Sequence, residues 1–219
     1  MSTLVRPELG PTLLELLGPR VRAWPRPVRL ALIGAIVACM ALLFWLALRP
    51  DPRRRPLVVG GPVPFNLLYS AEGLVRVRPQ GGEVLRLGTR AGADPQSFAV
   101  TPVRLPAYRG DITAYLTLAS ARTIQEMRAR LPGFVWRGDG RTSINKQPGY
   151  QILYQARIAG RTVYGKRLVL APFPEDPREG LDITLQSTRS DTVPNVGAVG
   201  ANGLLKTPLR SLRFGEDRP

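Results

Sequence analysis

The feature that most constrains this chain is an unbroken apolar run, Leu30–Leu48, LALIGAIVACMALLFWLAL. Its 19 residues carry no charge and no proline. At about 1.5 Å per residue the run spans roughly 28 Å, close to the hydrocarbon thickness of a bilayer. A lone segment of this kind satisfies its backbone groups in lipid only as a helix. Arg29 precedes it, Arg49 and Pro50 follow it, and Trp45 sits near its second end, where an interfacial indole is favoured. The run predicts a single transmembrane helix over residues 29–49. A cleaved signal sequence has a shorter apolar core and a small-residue cleavage site. Here the run is longer, and no A-x-A pattern follows it. Ile36-Val37-Ala38-Cys39 has the look of a lipobox, but Met40–Leu48 continues apolar and would place Cys39 in mid-membrane. There it reads as a small buried apolar residue.

The remainder of the 219 residues is enough for one domain with a proper core. The only cysteine lies in the span, so the domain has no disulfide and cysteine usage does not mark the compartment. There is no histidine. That removes Ser-His-Asp and Cys-His catalysis, histidine zinc sites and histidine pH switching. The net charge is +15, of which residues 1–55 supply +6 (9 arginines against 3 acids) and residues 56–219 supply +9 (22 bases against 13 acids). The excess is therefore spread along the chain. It suits anionic lipid head groups or acidic partners, and equally a chain whose composition favours arginine.

Residues 1–28 read as a basic cytoplasmic stub, with Arg20, Arg22, Arg26 and Arg29 around Trp24 and three prolines. Positive charges tie across the span: four arginines precede it, and Arg49, Arg53, Arg54 and Arg55 follow. The short basic stub ahead of the first apolar segment is a signal-anchor layout. It puts the N-terminus inside the cell and the large C-terminal domain outside. Within the span, Gly34 and Ala38 belong to a run of small residues at helical spacing, which lets a second helix approach closely. Residues 50–64, rich in proline and arginine, read as a semi-extended linker with no regular structure.

From residue 65 to 219 the pattern is a strand-dominated extracytoplasmic domain. Strands are expected at Phe65–Tyr69, at Leu74–Arg78 and Glu83–Leu87 flanking Gly81-Gly82, and at Phe98–Leu105 and Ile112–Leu118 around Tyr108-Arg109-Gly110. Ser120 reads as the N-cap of a helix lined by Ile124, Met127 and Leu131 and ended by Pro132-Gly133. Phe134–Arg137 is expected as a strand and Gly138-Asp139-Gly140 as a turn. Tyr150–Ile158 and Arg161–Leu170 around Ala159-Gly160 make the clearest hairpin. Leu181, Ile183 and Leu185 mark a further strand, residues 190–203 show no period, and Leu204–Leu212 suits a short helix. The class is α+β: one N-terminal transmembrane helix, then an antiparallel sheet covered on one face by one or two helices.

The order FNLLYS, a strand-rich middle, the helix ARTIQEMRARLPGF, the hairpin GYQILYQARIAGRTVYGKRLVL, the strand GLDITL and the closing Ser-x-Arg-Phe at 211–214 resembles the PsbP-like superfamily over about residues 65–215. That superfamily is named for an extrinsic subunit of photosystem II and includes many bacterial relatives. The resemblance implies an antiparallel sheet sandwiched by helices. It also implies an extracytoplasmic accessory, assembly or binding role, not an enzyme. Two departures are visible: the membrane span, and the missing histidine, so no family metal or cofactor role is carried over.

The most polar stretch is Arg141–Gly149, read as a loop whose Arg141, Asn145 and Lys146 would hold a partner. Glu175-Asp176-Pro177-Arg178-Glu179 reads as a charged turn. GAVGANG at 197–203 lacks the strand-turn-helix setting of a phosphate loop and is not a nucleotide site. No metal, cofactor or catalytic residue is implied. The function expected is a single-pass, membrane-anchored accessory or binding subunit of a larger membrane or envelope assembly. Its partners would be other membrane or envelope proteins, with anionic lipid at the basic flanks. One alternative is a cytosol-facing module that binds anionic lipid or nucleic acid, weakened by the absence of a basic stripe interleaved with aromatics. Another is a carboxylate-dependent hydrolase, whose sign would be two carboxylates converging in one cleft.

Overall fold

The structure is a computed structural model that describes residues 25–48, 53–90, 94–105, 112–172 and 178–217. The chain divides into two compact units, Met1–Asp51 and Pro52–Pro219. Most of the basic stub, the Tyr108-Arg109-Gly110 segment and residues 175–177 of the charged turn lie outside the described residues.

The first unit contains α1, Arg26–Leu48, 23 residues long. It starts earlier than the apolar run, because Pro27 is tolerated in a first turn where no amide partner is needed. The backbone amide of Val28 bonds the carbonyl of Pro25. The helix is long and apolar enough to cross a membrane, and its large side chains from Leu30 to Trp45 are exposed.

The second unit holds two antiparallel sheets. Its strands are β1 (Arg54–Val59), β2 (Phe65–Ser70), β3 (Leu74–Val77), β4 (Leu85–Thr89), β5 (Gln96–Arg104), β6 (Val135–Ile144), β7 (Gln147–Ile158), β8 (Arg161–Leu170), β9 (Glu179–Thr188) and β10 (Arg213–Phe214). The helices are α2 (Ile112–Arg130) and α3 (Lys206–Ser211). The small sheet runs β1-β2-β10 and the large one β3-β4-β5-β9-β8-β7-β6.

Alternation on the central strands separates the two faces of the large sheet. Leu181, Ile183 and Leu185 of β9 join Phe98, Val100, Leu168 and Leu170 in the larger core, closed by Phe65 and Leu67 of β2 and Leu205 and Leu209 near α3. The opposite face carries Tyr150, Ile152, Tyr154 and Ala156 of β7 under Leu116, Ile124 and Met127 of α2. Phe134 stacks on Tyr154 with ring centroids 5.9 Å apart. Both faces are therefore covered, one by the helix and one by the small sheet and α3, where the sequence pattern implied a single covered face. Gly165, opposite Tyr154 in the β7–β8 ladder, makes room for that ring: a Cβ there would lie 2.1 Å from it.

Four expectations are corrected. The stretch ITAYLTL is the start of α2, not a strand. Its β-branched and aromatic residues favour a strand locally, but Leu116, Ser120, Ile124, Met127 and Leu131 repeat every three or four residues along the sheet. Ser120 is accordingly mid-helix and no cap; its hydroxyl donates back to the Thr117 carbonyl at 2.7 Å. The presumed linker contains β1, paired along its length from Arg54↔Ser70 to Val59↔Phe65. Pro56 is compatible with this because β1 is an edge strand. Gly138-Asp139-Gly140 is no turn but part of β6, whose register shifts at a bulge between Trp136 and Gly138.

Candidate functional site

The presumed loop Arg141–Gly149 is a β-hairpin. Ile144 pairs with Gln147, which leaves Asn145 and Lys146 as a two-residue turn with φ of 47° and 69°. Two consecutive positive φ values are what a hairpin matched to strand twist requires, and asparagine tolerates them better than most residues. Asn145 also latches the hairpin to the C-terminal segment. Its Nδ2 donates to the carbonyls of Arg210 (2.9 Å) and Leu212 (2.7 Å). Of the three residues singled out in the sequence, Arg141 lies on β6, Asn145 is a structural tie, and Lys146 projects exposed at the tip.

The hairpin is tied to the C-terminal end of α3 and leaves a pocket of about 420 Å³. Register places its polar residues. Thr142 is opposite Gly149, Gln151 is opposite Gly140 and Leu168, and Lys166 is opposite Leu153 and Leu185. All three therefore face the side of the large sheet that carries the larger core. Ile144, Leu168 and Leu209 are the large apolar residues of its lining, and Arg210 completes the rim. No acidic side chain lines the pocket among the described residues. Lys166 is half-buried, flanked on both neighbouring strands by leucines, and burial pushes its pKa below the ordinary lysine value. The sequence signal for it was legible in hindsight: β8 points Tyr164, Lys166, Leu168 and Leu170 the same way, and only the lysine breaks the apolar series.

GAVGANG forms a wall of this pocket, not a nucleotide loop. It holds the 3-10 turn Val196–Ala198, whose backbone amide at Ala198 bonds the Asn195 side chain, and Val199 is buried in the larger core. Gly200 (φ 72°) packs so closely that a Cβ would lie 2.7 Å from Leu209.

On the α2 face the next residue of β8 behaves differently. Arg167 forms an ion pair with Asp182, its Nε donating to Oδ2 at 2.9 Å. Burial disfavours the charged guanidinium, but the hydrogen bonds and charge of the carboxylate outweigh it and hold the pKa above the ordinary arginine value. Gln186 donates to the Tyr154 hydroxyl at 3.1 Å. Farther along, Tyr150 donates a short hydrogen bond to Asp139; burial and that bond push its pKa up. Glu126 and Asp182 line one groove on this face, but each is engaged by an arginine, Arg122 and Arg167 respectively. No group of three or more His, Cys, Asp or Glu side chains is placed to hold a metal among the described residues. On α1, Gly34 has open space around it, and both it and Ala38 are exposed.

No protein-family model matches the chain, and no curated protein matches it by sequence. Solved structures do. The crystal structure of LpqN, described as involved in cell envelope biogenesis of Mycobacterium tuberculosis, is 13% identical with a TM-score of 0.51, and the match covers 75% of this chain and 92% of LpqN. The solution structure of cyanobacterial PsbP (CyanoP) from Synechocystis is also 13% identical, with a TM-score of 0.52, over 76% of this chain and 95% of CyanoP. The second unit thus has a PsbP-like fold, as the resemblance in sequence order implied.

Proposed function

We propose that this chain is a non-catalytic accessory subunit, anchored by one helix and contributing binding contacts to a larger membrane or envelope assembly. The observation that carries this reading is α1: a helix of membrane-spanning length with an exposed apolar surface, followed within a few residues by a separately folded unit. The fold supports it, since LpqN, which shares the fold, is described as involved in envelope biogenesis. The signal-anchor layout supports a cytoplasmic N-terminus and an extracytoplasmic domain. In this reading Arg141 and Lys146 on the outer hairpin meet the partner, Asn145 only holds the hairpin in place, and Gly34 and Ala38 are where a partner helix packs.

The test is fractionation of cells that make the full chain. The chain should stay in the membrane pellet after alkaline carbonate, and protease added to spheroplasts should degrade residues 53–217. Release by carbonate contradicts the anchor. A domain that survives until lysis contradicts the orientation and favours the cytosol-facing alternative.

A further inference from the structure

The pocket beneath the β6–β7 hairpin holds more hydrogen-bonding capacity than the protein uses. The side chains of Thr142, Gln151, Lys166 and Arg210 all line it, and none has a hydrogen-bond or ion-pair partner among the described residues. The two cations stand at a site with no acidic lining residue. Elsewhere in the same domain partly buried cations are paired: Arg167 has Asp182, and Arg86 has Glu83. A half-buried ammonium among leucines is unfavourable unless something compensates it. Of its large apolar lining residues Leu168 and Leu209 are all but covered, at 1% and 4% exposure, and Ile144 is the one that keeps exposed surface. Such a mixture, a small number of convergent polar groups beside an apolar surface, is the ordinary constitution of a small-ligand site.

We propose that this pocket binds a small oxyanion carrying an apolar body, with Lys166 and Arg210 neutralising the anionic head. Thr142 and Gln151 hydrogen-bond its oxygens, and the apolar body lies against Ile144. A carboxylate and a phosphate ester share the head chemistry, and the test separates them. This site does not depend on the membrane reading, because every residue in it belongs to the second unit.

The experiment is equilibrium dialysis of the full chain in detergent micelles, with micelles alone as the partition blank. The probes are hexanoate, acetate, hexanol, hexyl phosphate and inorganic phosphate. Hexanoate or hexyl phosphate should bind saturably, one per chain, and whichever is tighter identifies the head group. Acetate and inorganic phosphate should each bind at least fivefold more weakly than their hexyl counterparts, and hexanol at least tenfold more weakly than hexanoate. Lys166→Met should weaken the tighter probe at least tenfold, and Arg210→Gln and Thr142→Val about threefold each, with the urea midpoint of each variant confirming its fold. Absence of saturable binding, unchanged affinity in folded Lys166→Met, or hexanol binding as well as hexanoate would overturn the proposal. Equal binding of acetate and hexanoate, together with equal binding of the two phosphates, would overturn its apolar part.

Discussion

Lys166 and Arg167 are consecutive residues on the interior strand β8, yet they point to opposite faces of the large sheet and meet opposite treatment. Arg167 lies under α2 with a carboxylate against it. Lys166 faces the pocket and has leucines for cross-strand neighbours. The α2 face resolves its charges internally, as a part of the protein that only has to fold does. The pocket face leaves a charge unresolved and keeps it near open space, as a part that has to receive something does. Four variants sharpen this difference.

The largest effect belongs to the paired side. Asp182→Ala leaves the Arg167 guanidinium without compensation in a partly buried position. We expect a loss of about 3 kcal/mol, at the lower end for breaking a buried pair because Arg167 retains some solvent contact. The double replacement Arg167→Met, Asp182→Leu should lose less than Asp182→Ala alone, since it removes both charges together. Urea unfolding of the full chain in micelles measures both. Equal loss in single and double variants would mean that packing at Asp182, not pairing, is what matters.

A middling effect is expected at Asn145, on the edge of the pocket. Asn145→Ala removes two hydrogen bonds to the carbonyls of Arg210 and Leu212 and places a poorer residue at positive φ. The cost should be about 1–2 kcal/mol. Because the tie also positions Arg210, anion binding should fall as well. A variant as stable as wild type would show that the latch is not a stabilising element.

The smallest effect, and the one with the opposite sign, belongs to Lys166→Met. Its stability should match wild type within about 0.5 kcal/mol or exceed it slightly, because the change removes an unpaired, half-buried charge. The pH dependence follows. Folded Lys166 holds its proton more weakly than the 10.5 of an unfolded lysine. Between the lowered value and 10.5 the unfolded chain binds more protons, so stability contributed by this residue rises with pH across that window. Lys166→Met should lack that rise.

How far the sequence revealed this arrangement varies with how local the cause was. The β7–β8 hairpin was plain from the alternation of Ile152, Tyr154 and Ala156 and the Ala159-Gly160 turn, because a half-buried ladder writes its period into the chain. The β3–β4 pair around Gly81-Gly82 was legible for the same reason. Residues 112–118 were not, because strand-prone side chains there were overridden by packing against β7. β1 was missed because its proline, Pro56, argues against a strand everywhere except at an edge, and edge position is set by the rest of the sheet. Arg141–Gly149 reads in sequence as a loop because Gly138-Asp139-Gly140 offers the better turn signal, yet Asn145-Lys146 supplies the turn of a hairpin. The pocket itself was invisible, since Thr142, Gln151 and Lys166 come together across three strands and only pairing register shows it.

The most direct test of the division between the two faces is an NMR pH titration of the ε-methylene groups of the three lysines, 146, 166 and 206, in the full chain. It is run with and without hexanoate, with hexyl phosphate in a parallel sample. Lys166 faces Arg210 from α3 and no acid from β6, β7 or the 196–201 turn. In the free chain it should titrate below the ordinary lysine value. An anion seated against it should raise that midpoint towards the ordinary value or beyond, because bound anion favours the protonated form. A Lys166 midpoint that neither anion moves would contradict the account, for the unpaired cation would then be a tolerated feature of the fold and not a receptor for charge.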